Sequence, residues 1–190
     1  MTPASSAEEV VVWLWEGGEI RLRLMGHLSQ QLPDVALITS ARALVLRDAL
    51  ILVQRDLGST HIDPGGRLEP GETPEEAVRR EVLEERGWTL GPLTLLGYKH
   101  FTYLTPQPAD LAGLPYPDFL QVVYTAAAGE FRPEAKLDDG YELETSFRTV
   151  DEVRMLGLPA SQLLFLDAAL AGGPATRAAN PLLPQRERAG

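Results

Sequence analysis

Charged side chains recur at regular intervals between residues 66 and 88, where the chain reads GRLEPGETPEEAVRREVLEERGW. Three carboxylates, those of Glu81, Glu84 and Glu85, follow one another closely, and Arg80 stands directly before them. If this segment is helical, the three carboxylates fall within a sector of roughly 100°. Hard divalent cations prefer oxygen ligands, so a crowded set of carboxylates is a candidate cation site.

Local signals predict the helix that would position these carboxylates. Thr73 is a good N-cap, Pro74 suits the first helical position, and Glu76 completes a capping box with Thr73. Gly87 can adopt the left-handed conformation that ends a helix. The helix should therefore run from about residue 74 to residue 86.

Two interpretations of this acidic helix face are open. In the first, the face is a solvated surface balanced by the arginines at positions 79, 80 and 86. In the second, it binds cations that neutralise the carboxylates and receive a polyphosphate. The segment Pro64-Gly65-Gly66 favours the second interpretation. Its glycines should free the backbone just before the helix, and a helix N-terminus attracts anions.

The same segment resembles the Nudix box, G-x5-E-x7-R-E-U-x-E-E-x-G-U, in which U is a bulky apolar residue. Every fixed position of that pattern is filled, by Gly66, Glu72, Arg80, Glu81, Val82, Glu84, Glu85, Gly87 and Trp88. Outside the box, the resemblance to Nudix hydrolases rests on the order of the predicted elements, over about residues 37–170.

The resemblance implies an α/β fold, namely a Nudix-type three-layer α/β/α sandwich with a mixed sheet. It also implies a site for Mg²⁺ or Mn²⁺. By position, the metal ligands would be three box carboxylates and one backbone carbonyl: Glu81, Glu84, Glu85 and Gly66. Arg80 would orient the neighbouring glutamates, and Glu72 would hold the junction of loop and helix through Arg80.

The usual reaction of the family is attack of water on a phosphorus of a nucleoside diphosphate linked to another group. The resemblance therefore predicts a metal-dependent pyrophosphohydrolase with a house-cleaning or nucleotide-pool role. The general base could be a box glutamate or one from a later loop. Glu144 is the loop candidate because many relatives place a glutamate before an aromatic strand, and Glu142 is its competitor. Both could equally be solvated loop acids.

Substrate contacts are expected outside the box. Arg55 is a candidate for a phosphate contact, although it could also be an isolated surface arginine. Tyr103, Tyr116 and Phe119 lie at or within a proline-rich loop over residues 105–119. Such rings could stack on a base, which contributes roughly 1–3 kcal/mol in nucleic-acid systems. The alternative is that they pin the loop to the core. No signature in the sequence identifies the nucleotide.

The remaining patterns predict three regions: an N-terminal β-hairpin extension (1–34), a Nudix domain (35–171) and a flexible tail (172–190). The hairpin pairs residues 10–15 with 20–25 and could extend the sheet, shape the cleft or pack against a second subunit. The domain should contain strands at 37–46, 49–54, 93–103, 120–128 and 146–150, and helices near 151–155 and 161–170.

Composition excludes several classes of protein. The net charge of −10 disfavours a binder of duplex nucleic acid, and the absence of cysteine excludes disulfides and cysteine nucleophiles. No apolar run approaches a membrane span, which predicts a cytoplasmic protein. Because many Nudix relatives are dimers, a homodimer is expected. The alternative function is a Nudix domain that binds a nucleotide as a sensor without cleaving it, although a complete box favours the enzyme.

Overall fold

The fold is seen in a computed structural model, which describes residues 6–15, 18–56, 58–111, 114–137 and 142–172. Within these residues the strands are β1 (Ser6–Trp15), β2 (Gly18–Leu28), β3 (Ile38–Arg47), β4 (Leu50–Asp56), β5 (Thr60–His61), β6 (Gly65–Arg67), β7 (Trp88–Leu90), β8 (Thr94–Tyr103), β9 (Asp118–Phe131) and β10 (Glu142–Thr149). The α-helices are α1 (Pro74–Arg86), α2 (Val150–Arg154) and α3 (Ala160–Gly172). None of these helices is long and apolar enough to cross a membrane. The tail was predicted over residues 172–190, but Gly172 is the last residue of α3, and residues 173–190 lie outside the described part of the chain.

One curled mixed sheet organises the molecule. Its strands follow the order β1-β2-β8-β9-β3-β4-β10, and the short strands β5, β6 and β7 pair with β4, β3 and β9. The β3–β9 pair is parallel, whereas the other pairs are antiparallel. The predicted mixed sheet of an α/β fold is therefore confirmed.

Helices cover both faces of the sheet. Successive residues of a strand point to opposite sides, so an apolar central strand such as β9 presents an apolar surface on each face. On one face, Val78 and Val82 of α1 pack with Val122 of β9. On the other face, Phe165 of α3 packs with Val123. This arrangement is the predicted α/β/α sandwich.

Helix α1 begins and ends at the predicted residues. The Thr73 hydroxyl accepts a hydrogen bond from the Glu76 amide at 3.2 Å, and the Glu76 carboxylate accepts one from the Thr73 amide at 2.8 Å. Gly87 ends the helix in the left-handed conformation, with φ 72°. Both signals act within a few residues, so the sequence alone determines these boundaries.

The segment before the helix is not the free loop that was predicted. Gly65 and Gly66 belong to β6, which pairs antiparallel with β3, and α1 starts only at Pro74. A Cβ at Gly65, whose φ is 138°, would lie 2.3 Å from the Ala41 carbonyl oxygen. The glycine therefore permits close approach to a central strand rather than a mobile backbone.

The C-terminal strands are longer than predicted. Strand β9 extends from Asp118 to Phe131, and β10 begins at Glu142 instead of residue 146. Strand β10 pairs with β4 along its length, from Glu142 with Asp56 to Thr149 with Leu50. Such pairing depends on residues distant in the sequence, which is why local patterns placed these strand ends incorrectly.

The predicted N-terminal hairpin extends the main sheet. Strand β2 pairs with β8 from Leu22 opposite Tyr103 to Leu28 opposite Gly97. Its buried row, Ile20, Leu22 and Leu24, packs on aromatic side chains of β8 and β9. An isolated hairpin is only marginally stable in water, so this packing supplies the partner that the hairpin needs.

Candidate active site

Arg80 lies at the centre of the acidic cluster on α1. Its Nε and Nη2 donate to the two carboxylate oxygens of Glu72, each at 2.9 Å. Its Nη1 donates to Glu81 at 2.9 Å and to Glu84 at 3.3 Å. These interactions, the hydrogen bond with Glu72 above all, raise the pKa of Arg80. One guanidinium therefore contacts three of the box carboxylates, as an orienting role for Arg80 requires.

Glu72 connects the segment before α1 to the helix. Besides its bidentate pair with Arg80, its Oε2 accepts a hydrogen bond from the Glu69 backbone amide at 2.9 Å. Arg80 also donates to the Arg67 carbonyl oxygen at 3.0 Å. The hydrogen bond from Arg80 is the main reason that the pKa of Glu72 lies below its usual value. Glu72 thus occupies the junction at which the sequence placed it.

Glu81 lies directly against the backbone of Gly66. A Cβ at residue 66 would come within 2.2 Å of the Glu81 Cδ atom and 2.3 Å of its Oε2. No side chain other than hydrogen fits this space unless Glu81 moves. The glycine at the start of the box therefore lets a carboxylate of α1 touch the backbone of β6.

Glu85 is the box carboxylate that reaches the cleft. Burial raises the pKa of Glu85, while Arg86, Arg42 and the backbone amide of Gly65 act in the opposite direction. Its Oε2 lies 3.4 Å from Arg86 Nη2, is shielded from solvent and makes no hydrogen bond. A buried carboxylate oxygen without a hydrogen bond is costly, and a cation would satisfy it.

The donors around Glu85 fit a hard divalent cation. Glu81, Glu84 and Glu85 supply carboxylate oxygens, and the backbone of Gly66 lies directly beside Glu81. Within the described residues, no three acidic or histidine side chains form a ready ligand set. Arg80 contacts an oxygen of Glu81 and an oxygen of Glu84. A bound cation would take the other oxygens or displace these contacts.

A cleft of about 520 Å³ opens beside this cluster. Gly65, Gly66 and Glu85 line one part of it. Polar side chains from the central strands and the segment after β5 line another part: Arg42, Gln54, Asp63, Lys99 and Gln121. Apolar side chains of the hairpin and β8 line a third part: Val11, Trp13, Leu24 and Phe101. This volume is in the range of small-molecule sites.

A buried ion pair lies in the polar part of the cleft. Lys99 of β8 donates a hydrogen bond to Asp63, and the two side chains are only 9% and 5% exposed. Burial acts to raise the pKa of Asp63, but the charges of Lys99 and Arg42 outweigh this effect, so its pKa lies below the usual value. Asp63 precedes the Pro64-Gly65-Gly66 segment, so the pair joins the box to β8.

Glu144, the loop candidate for the general base, lies away from the box carboxylates. Glu144 is exposed on β10, where it pairs with Arg55 at 3.6 Å and with Arg148 at 3.3 Å. Neither Glu144 nor Arg55 lines the cleft beside Glu85. Arg55 instead borders an adjoining surface depression with Ser59 and Leu156, and this depression shares Asp56, His61, Pro159 and Gln162 with the cleft. The backbone of Glu142 pairs with Asp56, but its side chain lies outside the part of the chain that the structure describes.

The aromatic residues predicted to stack on a base also lie outside the cleft lining. Phe119 is 2% exposed and stacks on Phe101 at 4.8 Å, and Tyr103 is 7% exposed. Tyr116 is exposed and lies 5.3 Å from Tyr103. These positions favour the packing alternative for Tyr103 and Phe119. The rings that do line the cleft are those of Trp13 and Phe101. From the sequence, the hairpin could shape the cleft, but neither ring was predicted as a substrate contact.

Two curated proteins share segments with this chain. A 66-residue segment is 41% identical to the 8-oxo-dGDP phosphatase NUDT18 of Mus musculus, covering 33% of this chain and 20% of that protein. A 116-residue segment is 30% identical to the NAD-capped RNA hydrolase NudC of Escherichia coli O157:H7, covering 60% of this chain and 39% of that protein. The chain thus spans well under half of the length of these relatives.

Two solved structures share the fold. The NUDIX hydrolase from Nitrosomonas europaea superposes with a TM-score of 0.55 at 24% identity, over 72% of this chain and 89% of that one. The Bacillus subtilis pyrophosphohydrolase BsRppH superposes with a TM-score of 0.58 at 16% identity, over 87% of this chain and 99% of that one. The model of the NUDIX domain matches residues 36–168, whereas the exact domain limits at 34/35 and 171/172 stay predictions. With its complete box and this match, the chain belongs to the Nudix family.

Proposed function

We propose that this protein is a pyrophosphohydrolase that uses Mg²⁺ or Mn²⁺ to cleave a nucleoside diphosphate linked to another group. The observation that carries the proposal is the position of Glu85, which lines a nucleotide-sized cleft while Arg80 contacts the other box carboxylates beside it. Arg80 neutralises part of this cluster through Glu81 and Glu84, but the buried Oε2 of Glu85 makes no hydrogen bond, so divalent cations beside it would complete the neutralisation. The same cations would attract a polyphosphate.

Different residues would have different roles in such a reaction. Glu81, Glu84, Glu85 and the Gly66 carbonyl would hold the cation, and Arg80 would keep the carboxylates oriented. When bound, a divalent cation neutralises phosphate charge and lowers the pKa of a coordinated water. Phosphoryl transfer requires mainly positioning and electrostatic stabilisation. Arg42 also lines the cleft and could contact the substrate phosphates, whereas Lys99 is paired with Asp63.

A box glutamate, Glu84 or Glu85, is our candidate for the general base. Glu85 lines the cleft, and Glu84 is the neighbouring carboxylate of the same helix face. Glu144 is less suited because it lies outside the cleft lining and is paired with two arginines. A general base must lie within hydrogen-bond reach of the water that it activates.

The substrate class is proposed from the chemistry of the site and from the relatives. One relative is an 8-oxo-dGDP phosphatase and another is a NAD-capped RNA hydrolase, and both of these names describe nucleotide-type substrates. The second candidate function is a nucleotide sensor that does not hydrolyse its ligand. The complete set of box carboxylates, contacted by Arg80, favours the enzyme.

A substrate screen in ¹⁸O-labelled water tests the proposal. The purified protein is incubated with Mg²⁺ or Mn²⁺ and deoxynucleoside triphosphates, nucleotide sugars, ADP-ribose, NADH or dinucleoside polyphosphates. We expect at least one compound to be hydrolysed, with the label in a phosphate-containing product because water attacks phosphorus. Complete inactivity combined with measurable nucleotide binding would instead support the sensor.

We also propose a cytoplasmic homodimer. On the edge strand β1, Val10, Val12 and Leu14 alternate with cleft-facing residues and are 56%, 49% and 77% exposed. A row of exposed apolar residues on an edge strand is a surface that proteins usually cover. A second copy of the chain would cover it.

A further inference from the structure

The N-terminal hairpin forms one side of the cleft next to the Nudix box. Val11 and Trp13 of β1 and Leu24 of β2 line the same cleft as Gly66 and Glu85. All three hairpin residues precede residue 36, at which the match to the NUDIX domain begins. Part of the binding surface is therefore supplied by a segment outside the family domain.

Trp13 is held in place by other aromatic rings. Its ring lies 5.2 Å from that of Phe101 and 5.7 Å from that of Phe119, and these two phenylalanines stack in parallel. The Ser161 hydroxyl of α3 also donates a hydrogen bond to Glu9, which ties β1 to the helix. A ring positioned in this way loses little conformational entropy when a ligand packs on it.

The polar part of the same cleft carries hydrogen-bonding side chains. Gln121 is 8% exposed, and Gln54 is also 8% exposed, with its amide nitrogen directed to Asp56 at 2.8 and 2.9 Å. Lys99 is held by Asp63. Buried polar groups that line a cleft need partners, which a ligand with donors and acceptors at its edge can supply. A flat group with a polar edge matches this combination of an apolar wall and polar side chains.

We propose that the hairpin is a substrate-recognition element and that Trp13 packs against the nucleobase of the substrate. This inference rests on the proposed function, because it assigns the base of a nucleoside diphosphate derivative to the wall formed by Val11, Trp13 and Leu24. The phosphates then lie toward Glu85, and the edge of the base faces Gln121 and Gln54. Trp13 is a specificity-determining residue with no part in the chemical step.

Kinetics of ring-removing variants test the inference. Trp13→Leu keeps apolar bulk against Phe101 but removes the ring, whereas Trp13→Phe keeps a ring. Base stacking predicts that Trp13→Leu raises KM about tenfold or more, with kcat changed less than about twofold, since stacking acts equally in ground and transition states. Trp13→Phe should restore KM to within about threefold of wild type. Phe131→Leu is the matched control, because Phe131 is half exposed, packs on Trp88 and does not line the cleft.

Two further measurements separate base recognition from general damage. The substrate found in the screen is compared with its ribosyl analogue that lacks the base, for which Trp13→Leu should leave KM unchanged. Calorimetric titration with ADP, GDP, CDP and UDP in the presence of Mg²⁺ should show weaker binding to Trp13→Leu even if no hydrolysis is found. A thermal melt of each variant establishes that the fold is intact.

The outcomes distinguish this inference from the proposed function. If Trp13→Leu binds nucleoside diphosphates more weakly and neither protein shows turnover, base recognition by the hairpin is supported and the proposed hydrolase activity is refuted. If Trp13→Leu hydrolyses the substrate with a normal KM and binds nucleotides normally, base recognition by the hairpin is refuted and the proposed hydrolase activity is supported. An equal rise of KM for the base-free analogue, or in Phe131→Leu, would also overturn base recognition.

Discussion

Breaking the buried pair of Asp63 and Lys99 should destabilise the fold strongly. The side chains are 5% and 9% exposed, so Asp63→Asn would leave an ammonium group in the interior without its anion. Removing one partner of a buried ion pair costs about 3–5 kcal/mol of unfolding free energy. Replacing both residues, as in Asp63→Asn with Lys99→Met, removes both charges and should cost less than the sum of the single changes.

The pH dependence of this loss follows from the direction of the pKa shift. Because the charges of Lys99 and Arg42 overcome burial, the pKa of Asp63 is lower in the folded state than in the unfolded chain. A carboxylate of this kind stabilises the fold above its unfolded pKa, about 3.9, and loses that contribution as the pH falls through the folded value. The difference between wild type and Asp63→Asn should therefore be full at neutral pH and shrink in acid.

Urea unfolding followed by tryptophan fluorescence measures these free energies. The matched control is Asp167→Asn, because Asp167 pairs with Arg154 but the two side chains are 50% and 45% exposed. An exposed pair contributes about 0–1 kcal/mol, so the control should lose little. If Asp63→Asn is no less stable at neutral pH than Asp167→Asn, the account of a buried, coupled pair is wrong. Strict additivity in the double variant would also contradict it.

Three other changes probe the box, the helix cap and the hairpin. Gly66→Ala places a Cβ 2.2 Å from the Glu81 Cδ atom, so it should displace that carboxylate and weaken Mn²⁺ binding measured by calorimetry. An unchanged Mn²⁺ affinity would count against the Gly66–Glu81 contact as part of the metal site. Thr73→Ala removes the N-cap of α1 and should cost about 1 kcal/mol in urea unfolding, with a loss near zero indicating that the cap is dispensable. Val12→Lys, in the exposed row of β1, should convert the proposed dimer to a monomer in light scattering, while the buried row of the hairpin keeps its packing on the sheet. A wild-type monomer rules the dimer out, and a variant that stays dimeric places the interface elsewhere.

Features set by neighbouring residues could be predicted from the sequence. The Thr73 cap, the Gly87 stop and the spacing of Glu81, Glu84 and Glu85 are all local, and α1 with its carboxylate face follows from them. The ion pair of Glu72 with Arg80 was expected from the box pattern and is present in the structure. The mixed sheet followed from the order of the elements and from the family resemblance.

Features set by distant residues could not be predicted in this way. Strand β6 exists because Gly65 approaches Ala41, and no local signal distinguishes that glycine from one in a loop. Phe119 looked like a loop aromatic, but pairing of β9 with β8 turns it into the core against Phe101. Trp13 reaches the cleft only because β2 pairs with β8, a contact between residues far apart in the chain. The composition of the cleft therefore needed the tertiary structure.

The dependence of hydrolysis on Mg²⁺ in wild type and in Glu85→Gln tests the central claim most directly. Glu75→Gln is the matched control, because Glu75 is an exposed glutamate of the same helix and does not line the cleft. We expect wild type and Glu75→Gln to hydrolyse the screened substrate only with a divalent cation. Glu85→Gln should lose about a hundredfold or more in kcat at saturating Mg²⁺, while its stability without metal is kept or raised, because burial and, to a smaller extent, repulsion from Glu81 disfavour the ionised carboxylate. Near wild-type turnover by Glu85→Gln, or hydrolysis that persists in excess chelator, would contradict the assignment of the box carboxylates to a catalytic metal site.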